Sequence, residues 1–418
     1  MSSNQIFKDT EFGKIPKDWK VVEIKEICKV KRGASPRPIG DPSYFSDTGR
    51  GWIRISDVTD ARKYLRKTSQ YLSKKGEDKS VKVNPGDLIM SICATIGKPI
   101  ILDMEACIHD GFVWFSELSS DVDVECLFYV LQKNEVTFSS KRQIGTQGNI
   151  NTSLVGMTNI LLPPFPEQKK IAEILSTVDQ GIERVDEVID KTQKLKKGFM
   201  QKLLTKGIGH KEFKDTEIGK IPKKWEIVKI LGLGKITTGK TPSTSNSAYW
   251  NGTIPFITPA DVRKEKYVYE TERHVTSQGA QEIGFTLPAD TVLVVCIGST
   301  IGKTGLTYME SVTNQQINSI VCNEDTNKDY VYYATTFRAD LLRSFSGVAA
   351  VPIIKKSLFE QFKLPLPPVH EQKKIADILG AIDERLELLR KRKERLERVK
   401  KGLMDVLLTG RKRVRLEA

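Results

Sequence analysis

LPPFPEQKKIAEILSTVDQGIERVDEVIDKTQKLKKGFMQKLLT runs from Leu162 to Thr205, and LPPVHEQKKIADILGAIDERLELLRKRKERLERVKKGLMDVLLT runs from Leu366 to Thr409. The copies align 204 residues apart without insertion. Apolar positions in the first are Ile171, Leu175, Val178, Ile182, Val185 and Ile189; in the second they are Ile375, Leu379, Ile382, Leu386 and Leu389. Steps alternating between four and three predict two long helices with a coiled-coil seam. Each follows a proline cluster, Pro163-Pro164-Phe165-Pro166 or Pro365-Leu366-Pro367-Pro368, that stops any upstream helix. Glu167 and Glu371 then favour the helix start electrostatically. From Glu167 to Thr205 a continuous helix spans roughly 58 Å at about 1.5 Å per residue. Lys196 and Lys393 fall at core-spaced positions and weaken the seam; Gly198 and Gly402 predict a break or bend. The chain must return after each globular part, so the two helices should run antiparallel.

A second repeat precedes each helix. FKDTEFGKIPKDWKVVEI (Phe7–Ile24) returns as FKDTEIGKIPKKWEIVKI (Phe213–Ile230). One unit is thus used twice. The expected fold class is α+β: two similar globular α/β modules separated by two long helices that form an antiparallel coiled coil, a pseudo-twofold internal repeat. The expected boundaries are residues 1–160 for the first module, 161–208 for the first helix, 209–364 for the second module and 365–418 for the second helix.

Within the first module, β-like runs lie at Gly51–Val58, Gly86–Gly97 and Asp110–Phe115, with a helix at Val124–Lys133. The second module repeats the plan with runs at Thr253–Val262, Asp290–Gly298 and Asn318–Asn323, and a helix at Asp329–Ser344. Gly33-Ala34-Ser35-Pro36 matches Gly239-Lys240-Thr241-Pro242, and Ala94–Lys98 matches Ser299–Lys303. Between such anchors the loops differ. A shared scaffold with different loops suggests the same task on different ligands.

The 418 residues suffice for two or more domains, and 39% hydrophobic content suffices for cores. No apolar run reaches the roughly 18 residues of a membrane span, and the first residues lack an apolar signal region. Six scattered cysteines and no Cys-x-x-Cys point to free thiols in a cytoplasmic protein. Four histidines leave little material for a metal site. The formal net charge of +14 favours a polyanionic partner.

Catalytic signatures come close and fail. Gly298-Ser-Thr-Ile-Gly302-Lys303-Thr304 has three residues between its glycines where a phosphate loop needs four. It reads as a structural turn. Leu162-Pro163-Pro164-Phe165 has leucine where an amino-methyltransferase needs a side-chain carbonyl. No catalytic residue and no metal ligand is assigned, and the chain is expected not to be an enzyme. Candidate nucleic-acid contacts are polar loop residues. In the first module these are Lys31, Arg32, Arg37, Arg50, Arg54, Lys98, Lys141, Arg142, Gln143, Gln147 and Asn149. In the second they are Lys240, Thr241, Ser243, Thr244, Asn246, Lys303, Gln315, Gln316, Arg338 and Arg343. Arg and Lys suit phosphates and guanine, and Asn and Gln suit adenine.

Two copies of Glu-Gln-x-Lys-Ile-Ala-x-Ile-Leu and of Lys-Lys-Gly-x-Met-x-x-Leu-Leu-Thr alternate with modules that open on Gly-Lys-Ile-Pro-Lys-x-Trp. This pattern resembles the DNA-specificity subunit of type I restriction–modification systems over essentially the whole chain. The resemblance implies that each module reads one half of a bipartite, asymmetric site in double-stranded DNA. It implies that the helices set the spacing and dock two methyltransferase (modification) subunits. The starts of the helices, Glu167, Gln168, Ile171, Glu371, Gln372 and Ile375, are the docking candidates. Restriction/translocase subunits join the full complex. No cofactor is expected on this chain; S-adenosylmethionine, ATP and Mg2+ belong to the partners. No membrane is implied. Two other readings stay open: a coiled-coil scaffold that binds protein only, and a self-contained DNA methyltransferase.

Overall fold

The computed structural model describes residues 7–140, 150–347 and 351–415. The chain divides into two compact units, Met1–Val185 with Arg392–Ala418, and Asp186–Lys391. Each unit holds one globular module and parts of both long helices. Compactness therefore cuts the helices in two, where sequence reading kept them as separate segments.

The first module is built on a five-stranded sheet in the order Lys29–Arg32, Phe112–Ser116, Leu88–Ser91, Pro99–Leu102, Tyr64–Leu65. The last pair is parallel and the others antiparallel. The central strand reads LIMS and is buried throughout. Strand side chains alternate between faces. Leu88 and Met90 join the core that includes the helix Val124–Lys133, while Ile89 joins a separate cluster with Ile53, Val83 and Ile108. Burial on both faces explains why the run is apolar without alternation. A second five-stranded sheet, ordered Phe45–Ser46, Gln70–Leu72, Arg50–Ile53, Ala106–Ile108, Val81–Val83, supplies the latter cluster.

The second module repeats the first sheet: Gly234–Thr238, Ile317–Cys322, Val292–Val295, Thr304–Thr307, Tyr267–Val268. Val292 and Val294 face one cluster, Leu293 and Val295 another. Each module helix has a side-chain N-cap, Asp123 accepting from Cys126 N at 2.8 Å and Asn327 from Tyr330 N at 2.9 Å. The run Gly51–Val58 is not all strand: it turns at Arg54 into a short helix, Ile55–Asp60, because Asp57 accepts from Arg54 N at 2.8 Å. The helix expected over Asp329–Ser344 is two, Lys328–Phe337 and Ala339–Ser344, separated at Arg338. The near-miss phosphate loop joins two antiparallel strands as a turn, with Ile301 N donating to Gly298 O.

Each module closes on itself before its long helix starts. Asn159–Leu162 pairs with Lys20–Glu23, and Lys363–Leu366 with Glu226–Lys229. The helices Phe165–Lys206 and Val369–Leu407 follow. Both run unbroken through Gly198 and Gly402, so the expected interruption is absent. Within each unit they pack antiparallel: Asp179 meets Lys400 at 2.7 Å in one, and Lys196 meets Asp383 at 2.5 Å in the other. Lys196 thus holds an ion pair at its seam position. Ile171 and Leu175 share the first module's core with Met404 and Leu407, and Ile375 and Leu379 share the second's with Leu203 and Leu204. Among the described residues no helix is long and apolar enough to cross a membrane, and the six cysteines are free.

A Cβ on Gly33 would lie 2.1 Å from His109 O, and one on Gly239 would lie 1.9 Å from Asn314 O. Neither backbone can retreat, because both are held by hydrogen bonds, Gly33 N to Phe112 O and Gly239 N to Ile317 O. Gly33→Ala and Gly239→Ala should each cost about 2 kcal/mol, read as a lowered thermal unfolding midpoint.

Candidate nucleic-acid interface

The same glycine approach locks two loops together in each module. In the first, residues 33–41 lie against His109-Asp110-Gly111. Ser35 Oγ donates to Asp110 Oδ1 at 2.5 Å, Arg32 Nε to Asp110 O at 2.8 Å, and Arg37 Nη2 to Asp110 Oδ2 at 3.3 Å. The Ser35 hydroxyl, aided by Arg37, holds the Asp110 carboxyl below the usual range. In the second module the equivalent pair is Thr241 Oγ1 donating to Gln315 Oε1 at 2.7 Å. The backbone frame is common to both, with Ala34 N donating to Ile108 O and Lys240 N to Thr313 O.

Beside the first loop pair lies a cleft of about 340 Å³ lined by Ser35, Ile39, Trp52, Arg54, Ile55, Ser56 and His109. Arg54 is exposed on it. Burial lowers the His109 imidazole below its ordinary value, and its Nδ1 accepts from Gly111 N at 2.9 Å. A neutral ring with Nδ1 accepting carries its proton on Nε2. Trp52 Nε1 is buried without a hydrogen-bond partner. Arginine, indole and imidazole make this cleft rich in donors.

The other sequence candidates divide. Lys31 ion-pairs Glu117 at 3.1 Å beside the Trp114 ring, and remains exposed. Thr244, Lys303 and Gln315 are exposed, and Gln316 is half-buried. Ser243 hydrogen-bonds Ser245, and Asn246 caps a short turn by accepting from Ala248 N. Lys240 donates to Glu282 O. Four more candidates, like Lys240 and Arg32, serve the module's own backbone. Arg50 donates to Val83 O at 3.0 Å and Lys98 to Thr59 O at 2.8 Å. Arg338, buried, donates to Ile218 O at 3.2 Å, and Arg343 to Ile301 O at 3.0 Å. Burial accordingly lowers Lys98 and Arg338 from their ordinary values. Lys141, Arg142, Gln143, Gln147 and Asn149 lie outside the described residues. Sequence reading missed Trp52, which lies within the strand Arg50–Ile53, and His109, Asp110 and Asn314, whose only signal was their place just upstream of a strand matched between the repeats.

The six docking candidates are corrected. Glu167, Gln168 and Ile171 are 1%, 1% and 0% exposed, and Glu371, Gln372 and Ile375 are 5%, 1% and 0%. Their polar atoms are spent inside their own units. Trp19 Nε1 donates to Glu167 at 2.9 Å and Arg413 Nε at 2.7 Å, while Arg413 also grips both oxygens of Asp18. In the other unit Trp225 Nε1 donates to Glu371 at 3.0 Å, His210 Nε2 lies 2.9 Å from it, and Ile208 N donates to it at 2.9 Å. Gln168 accepts from Asp123 N, and Gln372 from Asn327 N.

A duplicated loop frame with different side chains, on modules that alternate with paired helices, has counterparts among known proteins. The type I restriction modification DNA specificity domain matches residues 16–191 and again 222–398. The chain belongs to the type I restriction–modification DNA specificity family. It is 31% identical to a putative type I restriction enzyme MjaX specificity subunit of Methanocaldococcus jannaschii, covering 98% of this chain and 97% of that protein. The MjaVIII specificity subunit of the same organism is 28% identical, over 98% and 96%. In fold, the S subunit of a type I system from M. genitalium superposes with a TM-score of 0.60 at 15% identity, over 93% of this chain and 96% of that one.

The internal ties of this specificity subunit carry a stability consequence. Arg413→Ala leaves Glu167 buried with the indole alone and should cost about 3 kcal/mol. Arg413 holds the Asp18 carboxyl below its usual value. The stability from that depression is present above the unfolded carboxylate value and is lost as pH falls through the lowered folded value. Urea titrations across the acid limb should show this loss in the parent chain and a flatter limb in the variant.

Proposed function

We propose that each module of this specificity subunit reads one half of a bipartite, asymmetric DNA site, and that the loop pair is the reading element. The observation that carries this is one frame presenting two chemistries. Around Ser35 the first module gathers Arg37, Arg54, His109 and Asp110; around Thr241 the second gathers Ser243, Asn314 and Gln315. Guanidinium and imidazole donors suit the acceptors of guanine or phosphate, while amides suit adenine. Two short readings joined on one chain act as one long reading through effective concentration.

Methylation, ATP hydrolysis and cleavage then belong to partner subunits, together with S-adenosylmethionine, ATP and Mg2+. The long helices dock two modification subunits, through their outward faces. Leu195 and Val399 occupy equivalent positions of the two repeats and are 52% and 50% exposed. An apolar residue exposed at the same place in both copies gives two equivalent partners equivalent anchors.

Exchange of residues 25–160 for another first module should change one half-site and leave the other unchanged, as read by mapping methylated positions in host DNA; a change in both half-sites overturns the reading. Leu195→Asp combined with Val399→Asp should lower the stoichiometry of co-purified modification subunits without changing the unfolding midpoint by more than roughly 0.5 kcal/mol equivalent.

A further inference from the structure

The seams of the long helices contain lysine at corresponding places. Ile182, Val185, Ile189 and Thr192 lead by alternating steps to Lys196, and Leu386, Leu389, Lys393 and Leu396 lead to Lys400. In each unit this lysine meets an aspartate of the opposing helix, and the aspartate meets a tyrosine of the module.

In one unit Lys400 Nζ lies 2.7 Å from Asp179 Oδ1, and Tyr129 donates its hydroxyl to Asp179 Oδ2 at 2.7 Å. In the other, Lys196 Nζ lies 2.5 Å from Asp383 Oδ1, and Tyr333 donates to Asp383 Oδ2 at 2.7 Å. The same carboxylate oxygen takes the same partner each time, with every residue moved by 204 positions. On the module side a further cation–acid pair rests against the tyrosine ring. Lys63 pairs with Glu125 at 2.8 Å and sits 4.8 Å from the Tyr129 centroid; Lys266 pairs with Asp329 at 2.6 Å and sits 5.2 Å from that of Tyr333. The tyrosines and Asp179 are buried. Burial and the neighbouring aspartate push both phenols up, so they remain donors.

Apolar seams alone tolerate sliding by whole heptads, because every heptad offers a similar surface. A seven-residue slip carries the ammonium about 10 Å along the helix. It leaves a largely buried aspartate and a part-buried lysine in one unit, and a part-buried pair in the other, without their partners, which is unfavourable. One polar group at a core position is the best-attested way to fix register at the expense of stability. Here the tyrosine extends that device to a third element, so the module shares the register of the helices.

We propose that Tyr129–Asp179–Lys400 and Tyr333–Asp383–Lys196 are register locks: positioning residues that seat each module at one level along the helix pair and so restrict the DNA spacer the subunit accepts. The proposal rests on the bipartite reading above.

The test uses the full chain assembled with its modification subunits. Methyl transfer is measured on duplexes carrying both half-sites, with the native spacer and with spacers altered by one and two base pairs. Asp383→Leu with Lys196→Met, and Asp179→Leu with Lys400→Met, remove both charges of a lock and retain apolar volume, a change that folded proteins commonly tolerate. Each pair should lower the preference for the native spacer at least fivefold with half-site sequences unchanged. Tyr333→Phe, which keeps the ion pair and the ring, should give a smaller loss in the same direction. The charge exchange Asp383→Lys with Lys196→Asp should restore most of the preference, which a merely structural role would not. An unchanged spacer preference in the folded paired variants, or in Tyr333→Phe should they not fold, overturns the lock alone. A parent complex with no spacer preference overturns the bipartite reading and the lock together.

Discussion

A carboxylate buried at the start of each long helix organises this molecule. At 1% and 5% exposure, Glu167 and Glu371 need close hydrogen-bonding partners to offset the loss of solvent. The helix terminus supplies a favourable dipole, but the strong contacts come from elsewhere in the sequence. A tryptophan from the turn that opens the module donates its indole N–H, and a nitrogen side chain from the segment following a long helix, Arg413 or His210, completes the set. Three parts of the chain that are remote in sequence therefore meet at one charge. The two sites are solved differently. Arg413 brings a permanent charge and a second carboxylate, Asp18, whereas His210 is assisted by the Ile208 amide.

The modules show how a conserved frame permits different readings. Their central strands are buried on both faces, so those strands carry almost no freedom to vary. The loop pair is fixed by a backbone approach that excludes any side chain at Gly33 and Gly239. What projects from that fixed frame differs: His109 packs against the Trp52 and Phe112 rings in the first module, and Asn314 hydrogen-bonds Gln316 in the second. Ser35 with Asp110 and Thr241 with Gln315 keep one hydrogen bond in one place while exchanging a carboxylate for an amide.

The helices and the duplication were legible in the sequence because heptad spacing and a 204-residue repeat are one-dimensional signals. Other features were not. Glu-Gln at the head of each helix looks like a surface motif when repetition is the only clue, yet its constancy between the copies follows from an internal constraint: Gln168 and Gln372 each satisfy the backbone amide that precedes a module helix. Arg50, Lys98, Arg338 and Arg343 read as basic surface, but a long cationic side chain serves a carbonyl of its own module equally well, and only the fold reveals which. Asp57 turned an expected strand into a helix by one local hydrogen bond to Arg54 N, an effect below the resolution of periodicity. His109 and Asp110 became visible only when the sheet brought them to the Ser35 loop.

The polar seam follows from the same economy. A coiled coil of leucine and isoleucine alone is more stable and less definite, since its energy changes little on sliding by a heptad. Replacing one seam residue by lysine sacrifices apolar burial, and burying its ammonium against Asp179 or Asp383 at best returns part of that. The arrangement is unfavourable if stability is the only criterion. It is favourable if alternatives must be excluded, because the misaligned state loses a paired charge on both helices and a phenol contact on the module at once. That the same tyrosine, aspartate and lysine recur in both units, with the same oxygen assigned to each partner, indicates that definiteness is what the residues supply.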